Sequence, residues 1–306
     1  MKIENVQYVR ILLTKKCNLS CAFCHQEGCA FSSTDIDFNL LIDTVQKLYD
    51  IGYRKIKLMG GEPMLYSRIF DAIKAIRKIG DDIDLSMISN GSAPLEKYLD
   101  LFECGLDRLN VSVHGWDKDY FCLNTGNSAH QCMKIKDNIT ELSRLKKINK
   151  LNYVLQKGKN EEDFFQLIED VKDLNIVVDV LNLLTFPGQD DVEKLKYKFS
   201  EIEQMISNHW TVDKTQEYDN PYSLPSKRMY LSNGCIINLK VSCLNEHEIF
   251  NSCANCEYKT SCVEGIKAIR LTNDGLIQPC LLRTDNTFKL DEDTDKLKIC
   301  EYLSNL

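Results

Sequence analysis

The chain has 306 residues, 43% of them hydrophobic and 27% charged, with 38 Lys plus Arg against 45 Asp plus Glu for a formal charge of −7. That composition excludes wholesale disorder, allows one large domain or one with a smaller companion, and offers no global basic field to attract nucleic acid. No apolar run approaches the roughly 18 residues of a membrane helix, and the opening MKIENVQYVRILLTKKC has Glu4 and too short an apolar run for a signal peptide, so the expected location is the cytoplasm.

In chain order, short apolar or β-branched runs predict strands at residues 8–13, 55–59, 83–89, 108–114, 151–156 and 177–184. Amphipathic patterns between them predict helices at 38–49, 69–79, 94–102, 131–147 and 161–174. Near-continuous apolar strands alternating with helices specify a parallel sheet with covered faces, and six such units predict a partial or complete α/β barrel. Its chemistry belongs at the C-terminal ends of the strands. Beyond a further helix near 192–206, residues 211–227 are polar with Pro221 and Pro225 and read as a linker or lid. A hairpin follows over 228–241, turning at Asn233-Gly234. The expected division is a barrel over 1–210 and a cysteine-rich unit over 211–306.

The chain carries 14 cysteines. A reducing cytosol disfavours a disulfide frame, so metal or iron–sulfur ligation is the expectation. Cys17, Cys21 and Cys24 cluster after the first strand, and Cys253, Cys256, Cys262 and Cys280 cluster near the end. Cys29, Cys104, Cys122, Cys132, Cys235, Cys243 and Cys300 are scattered, most of them read as small buried apolar residues. Three thiolates on one short loop can hold three corners of a 4Fe–4S cube and leave the fourth iron open. Zinc on the same loop would need a fourth ligand, which His25 could supply. After the second strand comes Gly60-Gly61-Glu62-Pro63, where glycines permit close backbone approach to a ligand and the glutamate can accept from an ammonium group. The third strand ends in Ser89-Asn90-Gly91, the fourth carries Ser112 and His114, and the fifth starts at Lys150-Leu151-Asn152.

The loop C-x3-C-x2-C after a first strand, joined to Gly-Gly-Glu-Pro after the second, resembles the joint signature of the radical S-adenosylmethionine (SAM) superfamily. The resemblance implies a 4Fe–4S cluster on Cys17, Cys21 and Cys24 whose open iron is chelated by SAM. It also implies a flavodoxin or ferredoxin-type electron donor, and reductive cleavage of SAM to a 5′-deoxyadenosyl radical that abstracts a substrate hydrogen. By motif, Gly60, Gly61, Glu62 and Pro63 would hold the SAM amino group and Phe23 would lie near adenine. Asn90, Ser112 and Asn152 would contact the ribose or carboxylate. Capping or turn hydrogen bonds are the plain alternative for those three.

The stretches TKKCNLSCAFC, YRKIKLMGGEPML, DRLNVSVHGWD, KLNYVLQKGKNEEDF and IRLTNDGLIQPCLL look like the GTP 3′,8-cyclase family of molybdenum-cofactor synthesis, over most of residues 8–290. In that family basic residues at strand ends bind the triphosphate, and Arg10, Lys55, Lys57, Lys150 and Arg270 match such positions. For Lys55 and Lys57, solvated strand-edge lysines are the plain alternative. Three features depart from the family. Asp179 stands at or near a sixth-strand arginine, Ala268 replaces a tail arginine, and the C-terminal Gly-Gly is absent. A triphosphate needs many cationic donors, so these losses argue against GTP itself.

The segment Cys253-x2-Cys256-x5-Cys262-x17-Cys280, with Gly275 five residues before the last cysteine, resembles SPASM/twitch extensions that hold an auxiliary 4Fe–4S cluster. A four-cysteine zinc site remains the alternative there, and Cys235 or Cys243 could replace one ligand. The expected function is hydrogen abstraction from a small anionic, possibly nucleotide-like, metabolite in cofactor or natural-product biosynthesis. Arg10, Lys57, Lys150, Asp179 and Arg270 would line the substrate site. The alternatives are maturation of a ribosomally made peptide and a non-catalytic metal-binding module. Neither nucleic acid nor membrane is expected as a partner.

Overall fold

The computed structural model describes residues 7–25, 35–184, 190–219, 222–223, 225–240, 253, 256–257, 267–283, 285–291 and 294–306. Six strands run parallel in sequence order: β1 (Tyr8–Leu12), β2 (Lys55–Met59), β3 (Asp84–Ser89), β4 (Arg108–Val113), β5 (Ile148–Val154) and β6 (Val177–Leu181). Between them lie α1 (Phe38–Asp50), α2 (Ile69–Ile79), α3 (Leu95–Glu103), α4 (Lys118–Thr125), α5 (Ala129–Arg144) and α6 (Glu161–Val171). Two further helices, α7 (Asp190–Glu193) and α8 (Phe199–His209), stand where one was expected.

Later strands extend the same sheet on both sides. On one, β9 (Ile236–Lys240) pairs parallel with β6, followed outward by antiparallel β8 (Ser226–Leu231) and β7 (Val212–Tyr218). On the other, β10 (Ile269–Leu271) pairs parallel with β1, followed by antiparallel β11 (Leu276–Gln278) and β12 (Phe288–Lys289). Helix α9 (Lys296–Ser304) packs on α1, with Lys47 Nζ donating to the Thr294 carbonyl at 2.7 Å just before it. The stretch read as a linker therefore carries an edge strand. Its side chains are almost all exposed, so the pairing is made by backbone hydrogen bonds and leaves no apolar alternation to detect.

One face of the sheet is apolar and covered by helices: Val9, Ile11, Ile56, Leu58, Leu85, Met87, Val111, Val113, Leu151, Tyr153, Val178 and Val180 are buried in a single cluster. The other face is polar, carrying Arg10, Lys57, Ser86, Ser112, Asn152, Asp179 and Asn238 at the alternating positions. The strands thus alternate, contrary to the continuous apolar reading. The sheet also curls: Lys57 on β2 feels the charges of Lys150 on β5 and Lys240 on β9, residues that a flat sheet with about 4.8 Å between strands would hold more than 14 Å away. The inner face is therefore concave and polar, and it is not filled by the apolar layers of a closed barrel.

Candidate active site

The cysteine loop is fixed at its stem and along its length. At the stem, the Gly61 and Glu62 N–H groups donate to the carbonyls of Thr14 (2.8 Å) and Lys16 (2.7 Å). A Cβ on Gly60 would lie 2.5 Å from the Thr14 oxygen, and one on Gly61 2.4 Å from the Lys16 oxygen. The two glycines thus permit the approach of one backbone to another, where the sequence predicts approach to a ligand. Along the loop, the Ser20 and Ala22 N–H groups donate to the Thr125 and Asn124 carbonyls at the end of α4, and Asn127 Nδ2 donates to the Asn18 carbonyl. Helix α4, which the sequence reading missed, is therefore the bed of the cysteine loop. Its KDYFCLNT buries only Phe121, Asn124 and Thr125, too little for an apolar stripe, and the local signals were Asp117 as N-cap and Gly126 as left-handed C-cap.

Glu62 is 1% exposed and lies at the centre of this assembly. Its carboxylate accepts from Ser89 Oγ (2.8 Å) and from the N–H groups of Asn90 (2.7 Å) and Met64 (3.1 Å). Because Ser89 donates to Glu62, Tyr98 Oη must donate to Ser89 across their 2.7 Å contact. Burial pushes the Glu62 carboxyl up to about 7 despite these bonds. Pro63 opens the short helical turn that Glu62 caps. The Glu62 acceptors assigned by sequence to an ammonium group are thus engaged by the protein, and the side chain ties β2 to β3. Asn90 continues the tie. Its Nδ2 donates to Asn18 Oδ1 (2.9 Å), and Asn18 Nδ2 donates to Ser92 Oγ (2.9 Å). Asn90, 4% exposed, also accepts from the Ser92 N–H at 3.0 Å, a turn bond of the kind that the plain alternative describes.

Cys17 and Cys24 are exposed and Cys21 is half-buried. Burial first, then the charges of Cys24 and Cys17, push the Cys21 thiol up to about 12, and burial also raises Cys17. Three cysteines whose ionisation is opposed by burial and by one another fit a cationic iron–sulfur cube, whose charge would favour their thiolate forms. Among the described residues no three of His, Cys, Asp and Glu converge tightly enough for a single ion. Phe23 packs against His114, ring centroids 5.7 Å apart. His114 Nδ1 is buried without a hydrogen-bond partner among the described residues, and burial holds the imidazole down at about 4, which favours its neutral form. Ser112 and Asn152 lie side by side in register, half-buried, and Asp179 continues their row.

Further along the inner face, Arg10 stands in register between Lys57 and Arg270. Arg10 Nε donates to Met59 Sδ (3.2 Å), and Arg270, 1% exposed, reaches the Pro279 carbonyl. Burial, then the charges of Arg10, Lys240, Lys150 and Lys55, hold Lys57 well below the usual lysine range. Lys57 Nζ has no hydrogen-bond or ion-pair partner among the described residues. Lys55 is not a free strand-edge lysine: it pairs with Asp84 (3.2 Å) and lies 4.3 Å from the Tyr222 ring centroid. Lys150 Nζ donates to Asp179 Oδ2 at 3.0 Å, Lys240 Nζ lies 3.8 Å from the same oxygen, and Asn238 Nδ2 donates to Asp179 Oδ1 at 2.9 Å. Asp179, expected to line the substrate site, is thus enclosed by two protein hydrogen-bond donors and a second lysine at ion-pair distance. Lys240 and Asn238 were missed because they lie on β9, whose adjacency to β6 no sequence motif records.

Of the later cysteines, Cys253, Cys256 and Cys280 are half-buried, and the Cys256 N–H donates to the Cys253 carbonyl at 3.2 Å. Arg283 interacts with Cys256, while the Leu282 N–H donates to Cys280 Sγ, so these two cysteines lie in one neighbourhood. Gly275 forms the left-handed turn between β10 and β11. Cys262, Cys29 and Cys243 lie outside the described residues. Cys235 is 2% exposed in the apolar core, with its thiol pushed up to about 12 by burial. It packs as a residue of the apolar core.

Comparison with known proteins agrees with this geometry. The radical SAM superfamily model matches residues 11–171. A probable GTP 3′,8-cyclase from Methanocella arvoryzae is 30% identical over 284 residues, spanning 92% of this chain and 84% of that protein. Among solved structures, Streptococcus suis SuiB bound to precursor peptide SuiA aligns over 97% of this chain at 15% identity with a TM-score of 0.67, this chain spanning 65% of SuiB's length. The structure of anSMEcpe with bound AdoMet aligns over 97% of this chain and 81% of its own at 15% identity, TM-score 0.66. These two likenesses are of fold. With a cysteine loop, a Gly-Gly-Glu-Pro clamp and a half-open parallel sheet in the expected order, the chain belongs to the radical SAM superfamily.

Proposed function

We propose that this radical SAM enzyme abstracts hydrogen from a small anionic metabolite bound on the concave inner face of the sheet. The observation that carries this reading is Lys57, a lysine with no side-chain partner among the described residues, on a polar wall beside Arg10. An anion would give Lys57 the counter-charge that it lacks. When bound, the cluster on Cys17, Cys21 and Cys24 and its SAM supply a 5′-deoxyadenosyl radical. The chain's own part is to hold and shield. The exposed Gly61 backbone, Ser112 and Asn152 are placed to orient SAM, and Phe23 with neutral His114 forms an apolar and aromatic wall. The Glu62–Asn90–Asn18 tie keeps the cysteine loop at a fixed distance from that wall.

The same proposal assigns Cys253, Cys256, Cys262 and Cys280 to a second 4Fe–4S cluster, and a cytoplasmic flavodoxin or ferredoxin as reductant. A peptide substrate is the second reading. The exposed edge strand β7 pairs only with β8 among the described strands and could accept an extended peptide. Its Asp213, Lys214 and Glu217 are the charged residues that protect open edges from strand addition, so the small anion ranks first.

Anaerobic reconstitution with SAM and dithionite tests the reading. The intact chain should form 5′-deoxyadenosine and bind about eight irons, and Cys21→Ala should form none while keeping about four. Formation of 5′-deoxyadenosine by Cys21→Ala would overturn the first-site assignment. Eight irons retained in Cys256→Ala would overturn the second.

A further inference from the structure

The cations of the inner face are not equivalent. Lys150 and Lys240 approach one carboxylate oxygen of Asp179 at 3.0 and 3.8 Å, and Asn238 fixes the other oxygen at 2.9 Å. Asp179 is 1% exposed while Lys150 and Lys240 are 31% and 35% exposed, so the carboxylate is the buried hub and the lysines close over it. The four residues come from three adjacent strands: Asp179 is in register with Asn238 on β9 and with Asn152 on β5, and Asn152 is in register with the unpartnered Ser112. Lys55 is likewise engaged by Asp84. Lys57, within the field of all these cations, forms no ion pair among the described residues.

We propose that Asp179 is a specificity-determining residue that ties up Lys150 and Lys240 internally and cancels one of their two charges, leaving Lys57 to bind a head group of low charge, a carboxylate or phosphate monoester, in preference to a polyphosphate. The inference rests on the inner-face site proposed above and names its substrate class. Asp179 acts here through the lysines and not by meeting the ligand. A buried carboxylate held by two donors and paired with a second lysine keeps these groups oriented inward, and a polyphosphate would have to break that network to recruit the two lysines. A single carboxylate or phosphate at Lys57 leaves the network intact. Ser112 and Asn152, without protein partners among the described residues, then offer a hydroxyl and an amide to the uncharged remainder of the ligand.

The test uses the anaerobically reconstituted protein with orthophosphate and inorganic tripolyphosphate as calorimetric probes. Wild type should bind tripolyphosphate no more than a few-fold tighter than orthophosphate. Asp179→Asn, which releases both lysines, should tighten tripolyphosphate at least tenfold, about 1.4 kcal/mol, and orthophosphate less than threefold. Tripolyphosphate binding unchanged in Asp179→Asn, or already tenfold tighter than orthophosphate in wild type, would overturn the proposal. Should Asp179→Asn fail to fold, Lys240→Gln provides the second variant. Because Asp179 already holds Lys240 away from the ligand, tripolyphosphate affinity should change less than twofold, and a tenfold loss would count as refutation. Lys57→Gln separates the two levels of inference: orthophosphate binding undiminished in that variant removes the inner-face anion site itself, whatever Asp179 does.

Discussion

Replacing Gly61 by alanine tests whether the Gly-Gly pair serves the protein or a ligand. The new Cβ would lie 2.4 Å from the Lys16 carbonyl oxygen and 2.6 Å from that of Lys15, both backbone atoms that cannot swing aside. Forcing a methyl group into such a contact costs about 1–3 kcal/mol. If the two backbones part, the bonds from Gly61 N–H to Thr14 O and from Glu62 N–H to Lys16 O are lost, at about 0.5–1.5 kcal/mol each. The stiffer unfolded chain offsets about 0.4–1 kcal/mol. The net loss is about 2–4 kcal/mol, a fall in Tm of about 3–6 °C at the roughly 1.5 °C per kcal/mol that the unfolding entropy of a 306-residue chain implies. Thermal unfolding of the protein without iron or SAM, followed by circular dichroism, measures it. A Tm within a degree of wild type would mean that the glycines serve only ligand approach and that the backbone contact is tolerant.

Glu62→Gln should flatten the pH dependence of stability. An acid raised by burial from its ordinary 4.5 to about 7 keeps a proton that the unfolded chain has released, so wild type loses stability as pH rises between these values, on the order of 3 kcal/mol in all. Equal slopes in urea titrations of both proteins between about pH 5 and 7.5 would refute this. Cys235→Ser should cost about 1–3 kcal/mol through an unpaired hydroxyl in the core, and iron content should stay at the wild-type value; a loss of iron would make it a ligand. Lys57→Met should stabilise the protein by about 1 kcal/mol, because it removes a cation from among four others, while abolishing orthophosphate binding. A lower urea midpoint would show that Lys57 has a structural role.

Strand and helix periodicity in the first 184 residues was legible because each helix-facing side of β1 to β6 had to be apolar to be covered. β2 begins and ends where its pattern does, whereas β5 starts three residues early at Ile148 and takes Lys150 inside the strand. Helix α4 escaped notice because its task is to present the Asn124 and Thr125 carbonyls to the cysteine loop, and a backbone acceptor leaves no trace in side-chain pattern. The expected helix over 192–206 became two, with Lys198 starting α8 and Asn182 holding the Tyr197 carbonyl in the gap.

By itself the sequence determined the superfamily, because three thiolates at x3 and x2 spacing and a Gly-Gly-Glu-Pro turn are local arrangements whose chemistry is written in consecutive residues. It also determined the parallel βα order, since covered strands need apolar side chains at fixed intervals. Only the tertiary structure decided what those residues touch. It made Gly61 a backbone contact, Glu62 a buried tie and Cys235 a core thiol, and it brought Lys240 and Asn238 from β9 to enclose Asp179. The reason is range. A motif is read along a few residues, but the free energy of a buried charge is set by neighbours on other strands, 29 and 59 positions away for the two that hydrogen-bond Asp179, and only the folded sheet brings them together.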